Sequence, residues 1–179
     1  VKEPHPQIGM VFQDANLLPW RNLIKNILLP FEIKGIKPDD TRIENLLERV
    51  GLAGFGQKYP RELSGGMQQR ASIVRALSFD PSVLLMDEPF GALDAFTRDD
   101  MNLLVQEIWL ETQKTIVFIT HNIVEAVFLS DRVHVMSARP GRLAEVLDVN
   151  FPRPRTIEML SDPKAVDLVG KIKEKIQRT

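Results

Sequence analysis

The sequence predicts an α/β fold with a mostly parallel sheet. Three observations carry that prediction. Short apolar runs occur at residues 8–12 (IGMVF), 83–86 (VLLM) and 115–120 (TIVFIT) and read as strands. The stretches between them carry apolar residues at helical spacing. Asp87 and Glu88 close the second run and His121 follows the third. Ligand sites in open parallel sheets lie at the carboxyl ends of strands.

Composition narrows the class. A chain of 179 residues is long enough for one domain with a sizeable core. The formal net charge of −1 supplies no basic field for nucleic acid, so no nucleic-acid partner is expected. With no cysteine, disulfides and thiolate metal sites are excluded. No apolar run approaches the ~18–20 residues that span a bilayer, and no signal-peptide pattern is visible. Membrane association would therefore go through a partner.

Taken in order, residues 1–7 are a ragged polar lead-in with two prolines, Pro4 and Pro6. The strand at 8–12 ends at Gln13. A loop with Leu17, Leu18, Pro19 and Trp20 follows, then a helical stretch at 22–31, broken near Pro30. Thr41 and Glu44 form a capping-box pattern. Ile43, Leu46, Leu47 and Val50 then mark one helical face, with Gly51 as its stop. Residues 54–61 read as a loop.

Ser64, Gly65 and Gly66 open onto a helix with Ala71, Val74 and Leu77 on one face. Ser64 stands where an N-cap would stand, and a helix N-terminus attracts phosphate through free N–H groups and its dipole. Residues 83–86, bounded by Pro81 and Pro89, read as a fully buried parallel strand. An Asp at its end can hold Mg²⁺, and a neighbouring Glu can take a proton from water. Gly91 to Asp94 form a tight turn that closes on a third acid. Thr97 and Asp100 repeat the capping-box pattern before a helical face of Met101, Leu104, Val105 and Ile108. Residues 115–120 read as the next buried strand. A short helix at 122–130 and strands at 132–137 and 143–149 follow, with a turn at 139–142. His134, inside the first of these strands, reads as structural. Residues 151–155 (FPRPR) are held extended by their prolines. The tail from Asp162 is a helix with Pro163 in its first turn, mildly basic and weakened at Gly170.

LSGGMQQR, LLMDEP and GALD, in this order and spacing, resemble the signature motif, the Walker B segment with its catalytic Glu, and the D-loop of the ATP-binding-cassette (ABC) ATPases. The resemblance implies a P-loop NTPase-like ABC ATPase fold with an inserted helical subdomain. It implies an ABC ATPase domain at residues 1–150, with an α/β core at 1–17 and 80–150, a helical subdomain at 18–79, and a C-terminal tail at 151–179. It implies ATP and Mg²⁺ as cofactors. By resemblance, Glu88, His121 and Gln13 are catalytic, and Asp87 and Gln13 serve the metal. Ser64, Gly65, Gly66, Gln68 and Asp94 contact nucleotide across a head-to-tail dimer with a second ABC ATPase subunit. Asn122 stands where the family often has Asp. Further partners implied are membrane permease subunits, which the Trp20 loop would face, and, indirectly, a soluble solute-binding protein. The place implied is the cytoplasmic face of the membrane.

VFQDANLLPW, MSARPGR and FPRPR are similar to importers of nitrate, sulfonates or taurine. No G-x-x-x-x-G-K-[ST] occurs in the chain, so the fold is expected to be incomplete at the N-terminus, lacking the phosphate-binding loop. Two rivals stand beside the transporter reading. A DNA-repair or translation ATPase would bring coiled-coil arms or basic insertions, which are not visible. A non-catalytic regulatory or interaction fragment is kept open by the missing loop.

Overall fold

The computed structural model describes residue 5 and residues 7–178. The lead-in read at residues 1–7 therefore lies outside the described residues, His5 and Gln7 excepted. The chain forms two compact units: one holds residues up to Met101 together with Lys114–Ile119, the other Asn102–Gln113 and Thr120 onward.

In the first unit, β1 (Ile8–Val11), β2 (Val83–Asp87) and β3 (Thr115–Ile119) form a three-stranded parallel sheet in the order β1-β2-β3. The register sets Met10 beside Leu85 and Leu85 beside Val117, so these residues form one row on one face. Gly9, Val11, Leu84 and Met86 point to the other face and are buried. The structure corrects the expectation that 83–86 is a fully buried strand and 115–120 the next buried one. Val83 and Leu85 are only half-buried, and Val117 and Ile119 are 47% and 54% exposed. Helices cover the face of Gly9 and leave the face of Met10 open.

The helical part lies between β1 and β2. It comprises α1 (Leu23–Ile27), α2 (Leu29–Lys34), α3 (Asp40–Arg49) and α4 (Gly65–Leu77). The expected single helix at 22–31 is two. Leu28 ends α1, and Pro30 falls in the first turn of α2, where its missing N–H costs nothing. For α3, the Asp39 side chain accepts from Arg42 N–H at 3.0 Å, so Asp39 is the N-cap in place of Thr41. A turn of 3-10 helix, Pro60–Glu62, interrupts the loop expected at 54–61. Ser64 caps α4 as expected, accepting from Met67 N–H at 3.2 Å. α4 crosses β1 so closely that a Cβ on Gly9 would lie 2.6 Å from the Ala76 carbonyl oxygen.

α5 (Ala95–Thr112) has residues in both units. Its start is capped by Asp94, one turn earlier than the Thr97–Asp100 pattern suggested. The second unit adds α6 (Ile123–Leu129), an antiparallel pair β4 (Arg132–Met136) and β5 (Leu143–Asp148), a 3-10 turn Ile157–Ser161 and α7 (Pro163–Arg178). Residues 151–179, set apart in the sequence as a tail, fall within this unit. Val127, Val133, Val135, Val149 and Ile172 form its core. α7 runs through Gly170 without a break.

Candidate functional site

Most of the residues singled out in the sequence belong to the first unit. Asp87 is the last residue of β2 and is exposed. Glu88 turns the chain off the strand with φ +43°, a left-handed conformation uncommon outside glycine and often found at functional sites. Its N–H still donates to the Ile119 carbonyl at 2.8 Å, and its own carbonyl accepts from Gly91 N–H at 3.1 Å. Phe90 is fully buried with its ring centroid 5.6 Å from that of Phe118, which anchors the turn.

Gly91 is where Gln13 and Glu88 meet. A Cβ built there would lie 3.1 Å from Gln13 Nε2 and 3.7 Å from Glu88 Oε2. A side chain there would press on the Gln13 amide, while Glu88 Oε2 lies at ordinary contact distance. The structure thus brings an amide from the end of β1 and a carboxyl from the end of β2 to the same side of the sheet's carboxyl edge. The Asp87 carboxyl and the Gln13 amide oxygen are hard oxygen donors. They suit Mg²⁺, which is typically held through one or two carboxylates with phosphate and water completing its shell.

The signature stretch packs against the start of α5. A Cβ on Gly66 would lie 2.9 Å from Thr97 Cγ2, so the head of α4 abuts the first turn of α5. Gly65 has open space before it. Gln68 Nε2 donates to the Pro60 and Leu63 carbonyls at 3.0 and 3.1 Å and so shapes the approach to the motif. Asp94 accepts from Thr97 N–H at 3.1 Å and from its hydroxyl at 2.6 Å. These bonds hold the Asp94 carboxyl below its ordinary pKa.

Sequence reasoning missed two residues of α4. Buried Gln69 donates from Nε2 to the Phe12 carbonyl at 3.0 Å. Arg75 donates to the Ala15 and Asn16 carbonyls at 2.8 and 2.7 Å. The helix that begins at Ser64 therefore grips the backbone on both sides of Gln13. The available signal was a polar residue, Gln69, directly beside the apolar face of Ala71, Val74 and Leu77. It does not say which carbonyl such a residue will find.

Trp20 is 72% exposed. Its loop is nevertheless fixed, because buried Asn26 accepts from Leu18 N–H at 2.7 Å and donates to the Leu18 and Arg21 carbonyls. His121 belongs to the second unit, two residues beyond the end of β3, and is exposed. Asn122 follows as N-cap of α6. Among the described residues no helix is long and apolar enough to cross a membrane.

Comparison with known proteins places this architecture. The ABC transporter family matches residues 1–91. An uncharacterized ABC transporter ATP-binding protein of Methanocaldococcus jannaschii is 48% identical over 172 residues, covering 93% of this chain and 64% of the relative. The taurine import ATP-binding protein TauB of Yersinia pestis is 44% identical over 185 residues, covering 96% of this chain and 72% of the relative. A solved dimeric ATP-binding cassette, in a post-hydrolysis state bound to ADP and Pi, superposes with a TM-score of 0.67 at 32% identity. That match covers 82% of this chain and 64% of the other.

The fold and the motifs at the sheet edge are those of a nucleotide-binding α/β protein. The chain belongs to the ABC transporter family and is similar to ATP-binding proteins of that family, spanning 64% and 72% of the length of the two relatives above.

Proposed function

We propose that this chain, joined to an upstream phosphate-binding segment, forms the ATP-binding and ATP-hydrolysing subunit of an importer for a small solute such as nitrate, a sulfonate or taurine. Taurine is the solute named for the Yersinia relative. The observation that carries the reading is the convergence of Gln13 and Glu88 on Gly91 at the carboxyl edge of the parallel sheet.

In this reading Asp87 and Gln13 hold Mg²⁺, which when bound neutralises phosphate charge. Glu88 accepts a proton from the attacking water, and His121 contacts the γ-phosphate. Ser64, Gly65 and Gly66, at the head of α4, meet the γ-phosphate held by a second subunit arranged head to tail, with Gln68 shaping their loop. Asp94 steadies the dimer contact. A dimer is supported by the dimeric state named for the solved cassette. The exposed indole of Trp20 fits a permease contact, which would place the subunit peripherally at the cytoplasmic face of the membrane. A soluble solute-binding protein would complete the system.

Domain limits follow the same reading: an α/β core at 1–17 and 80–150 with the helical subdomain at 18–79. Replacing Glu88 with Gln in the complete subunit tests the chemistry. Turnover should fall ~10²–10⁴-fold with ATP binding intact, the scale of general-base assistance. Near-normal turnover would remove Glu88 from the role. Alone, residues 1–179 are expected to bind Mg-ATP more weakly than micromolar. Hydrogen bonds to charged groups contribute ~1.5–3 kcal/mol each, and micromolar affinity is only ~8 kcal/mol. Isothermal titration showing micromolar binding to this chain would contradict that expectation.

A further inference from the structure

The chain on both sides of His121 is held by hydrogen bonds that capping α6 does not require. The ordinary cap is present: Asn122 Oδ1 accepts from Val124 N–H at 3.0 Å and Glu125 N–H at 3.4 Å. In a capping box, the residue at the position of Glu125 reaches back to the N-cap N–H. Here that N–H is taken by a different partner, donating to Thr120 Oγ1 at 2.9 Å. The Thr120 hydroxyl donates in turn to Glu125 Oε2 at 2.7 Å, and Asn122 Nδ2 donates to Glu125 Oε1 at 3.3 Å. Glu125 is only 4% exposed.

One buried carboxyl thus holds both the residue before His121 and the residue after it. A buried carboxyl is costly unless it is hydrogen-bonded, and these two bonds are spent on that short segment. Asn suits position 122 because its amide caps with oxygen and donates to Glu125 with nitrogen. An Asp there could only cap.

We propose that Glu125 is a positioning residue for His121. The inference rests on the reading of His121 as the γ-phosphate contact. With Thr120 and Asn122 held on either side, the backbone that carries the imidazole is placed before nucleotide arrives. Without the carboxyl, the Thr120 hydroxyl and the Asn122 amide lose their common acceptor and the segment can adopt other conformations. A misplacement of about 1 Å can cost on the order of 10²-fold in rate.

The test measures single-turnover ATP hydrolysis and ATP affinity in the complete subunit, with far-UV circular dichroism as the check on folding. Glu125→Ala should lower the hydrolysis rate roughly 10–100-fold with ATP affinity and helical content unchanged. Glu125→Gln, which keeps an oxygen acceptor for Thr120, should recover most of the rate. Thr120→Val, which removes the hydroxyl at nearly constant shape, should lie between. In a His121→Ala background, Glu125→Ala should cost little more, because residues that act through one another are non-additive. An unchanged rate in Glu125→Ala overturns the proposal. So does an equal loss in both backgrounds, or a loss accompanied by weakened ATP binding or reduced helicity. If His121→Ala itself leaves turnover unchanged, the γ-phosphate role of His121 fails instead.

Discussion

The sheet of the first unit and the strand pair of the second meet the same requirement with different means. A strand pair buries its apolar face only if something covers it. In the second unit, α6 and α7 supply that cover. Val127 and Ile172 close over Val133, Val135 and Val149. The C-terminal end of α6 is then sealed by Arg155, whose guanidinium donates to the Val127, Phe128 and Ser130 carbonyls at 3.0, 2.9 and 2.8 Å. Gln106 completes the seal by holding both the N–H and the carbonyl of Arg155. In the first unit, α4 covers one face through Gly9, and the row Met10–Leu85–Val117 on the other face stays partly open, with Met10 42% exposed. The comparison shows that apolar strands are a statement about local pattern. Whether both faces are dry depends on which helices return to them.

Breaking the seal of the second unit should have the largest effect. Burial pushes the Arg155 guanidinium pKa down to about 10, with nearby Arg153 adding to the shift, so the group is still charged at neutral pH. Arg155→Met would strand several buried carbonyls, each costing about 1–3 kcal/mol. A loss of roughly 3–4 kcal/mol in urea denaturation is expected. A loss under about 1 kcal/mol would show that the strand pair and helices hold without the arginine.

The covered face of the first unit should tolerate change less well than its size suggests. Gly9→Ala sets a methyl against the Ala76 carbonyl and should cost about 1–3 kcal/mol by overpacking. An unchanged melting temperature would mean that α4 can lift off β1 freely.

Change on the open face should behave in the opposite way. Val117→Lys should leave folding stability within about 0.5 kcal/mol and reduce self-association of residues 1–179, because it interrupts the exposed apolar row. Light scattering against concentration measures this. Stronger association, or a large loss of stability, would show that the face is buried in solution.

The smallest effect is acid fraying at the start of α5. The Thr97 bonds depress the Asp94 pKa, so their stabilisation is present at neutral pH. It is lost as pH falls from the ordinary carboxylate range through the folded value. Hydrogen exchange of the Thr97 amide should rise in that window, beyond the ordinary pH effect seen in neighbouring exposed amides. Asp94→Asn should remove the excess, and an excess that survives in Asp94→Asn would point to another group.

Read by itself, the sequence determined the strands, the Ser64 cap, the stop at Gly51 and the motif order from LSGG to GALD. Each follows from period, composition or turn chemistry within a few residues. Tertiary structure decided the rest. Asp39 and Asp94 displaced Thr41 and Thr97 as caps because the helices begin two and three residues earlier than the capping-box pattern suggests. Val117 and Ile119 are exposed because alternation specifies two faces without specifying what covers them. The side-chain amide of Gln69 reaches the carbonyl of Phe12, 57 positions away in the chain, and that of Gln106 reaches the backbone of Arg155, 49 positions away. Such bonds leave no local periodicity. They exist only where folding brings a buried amide against a carbonyl that would otherwise go unpaired.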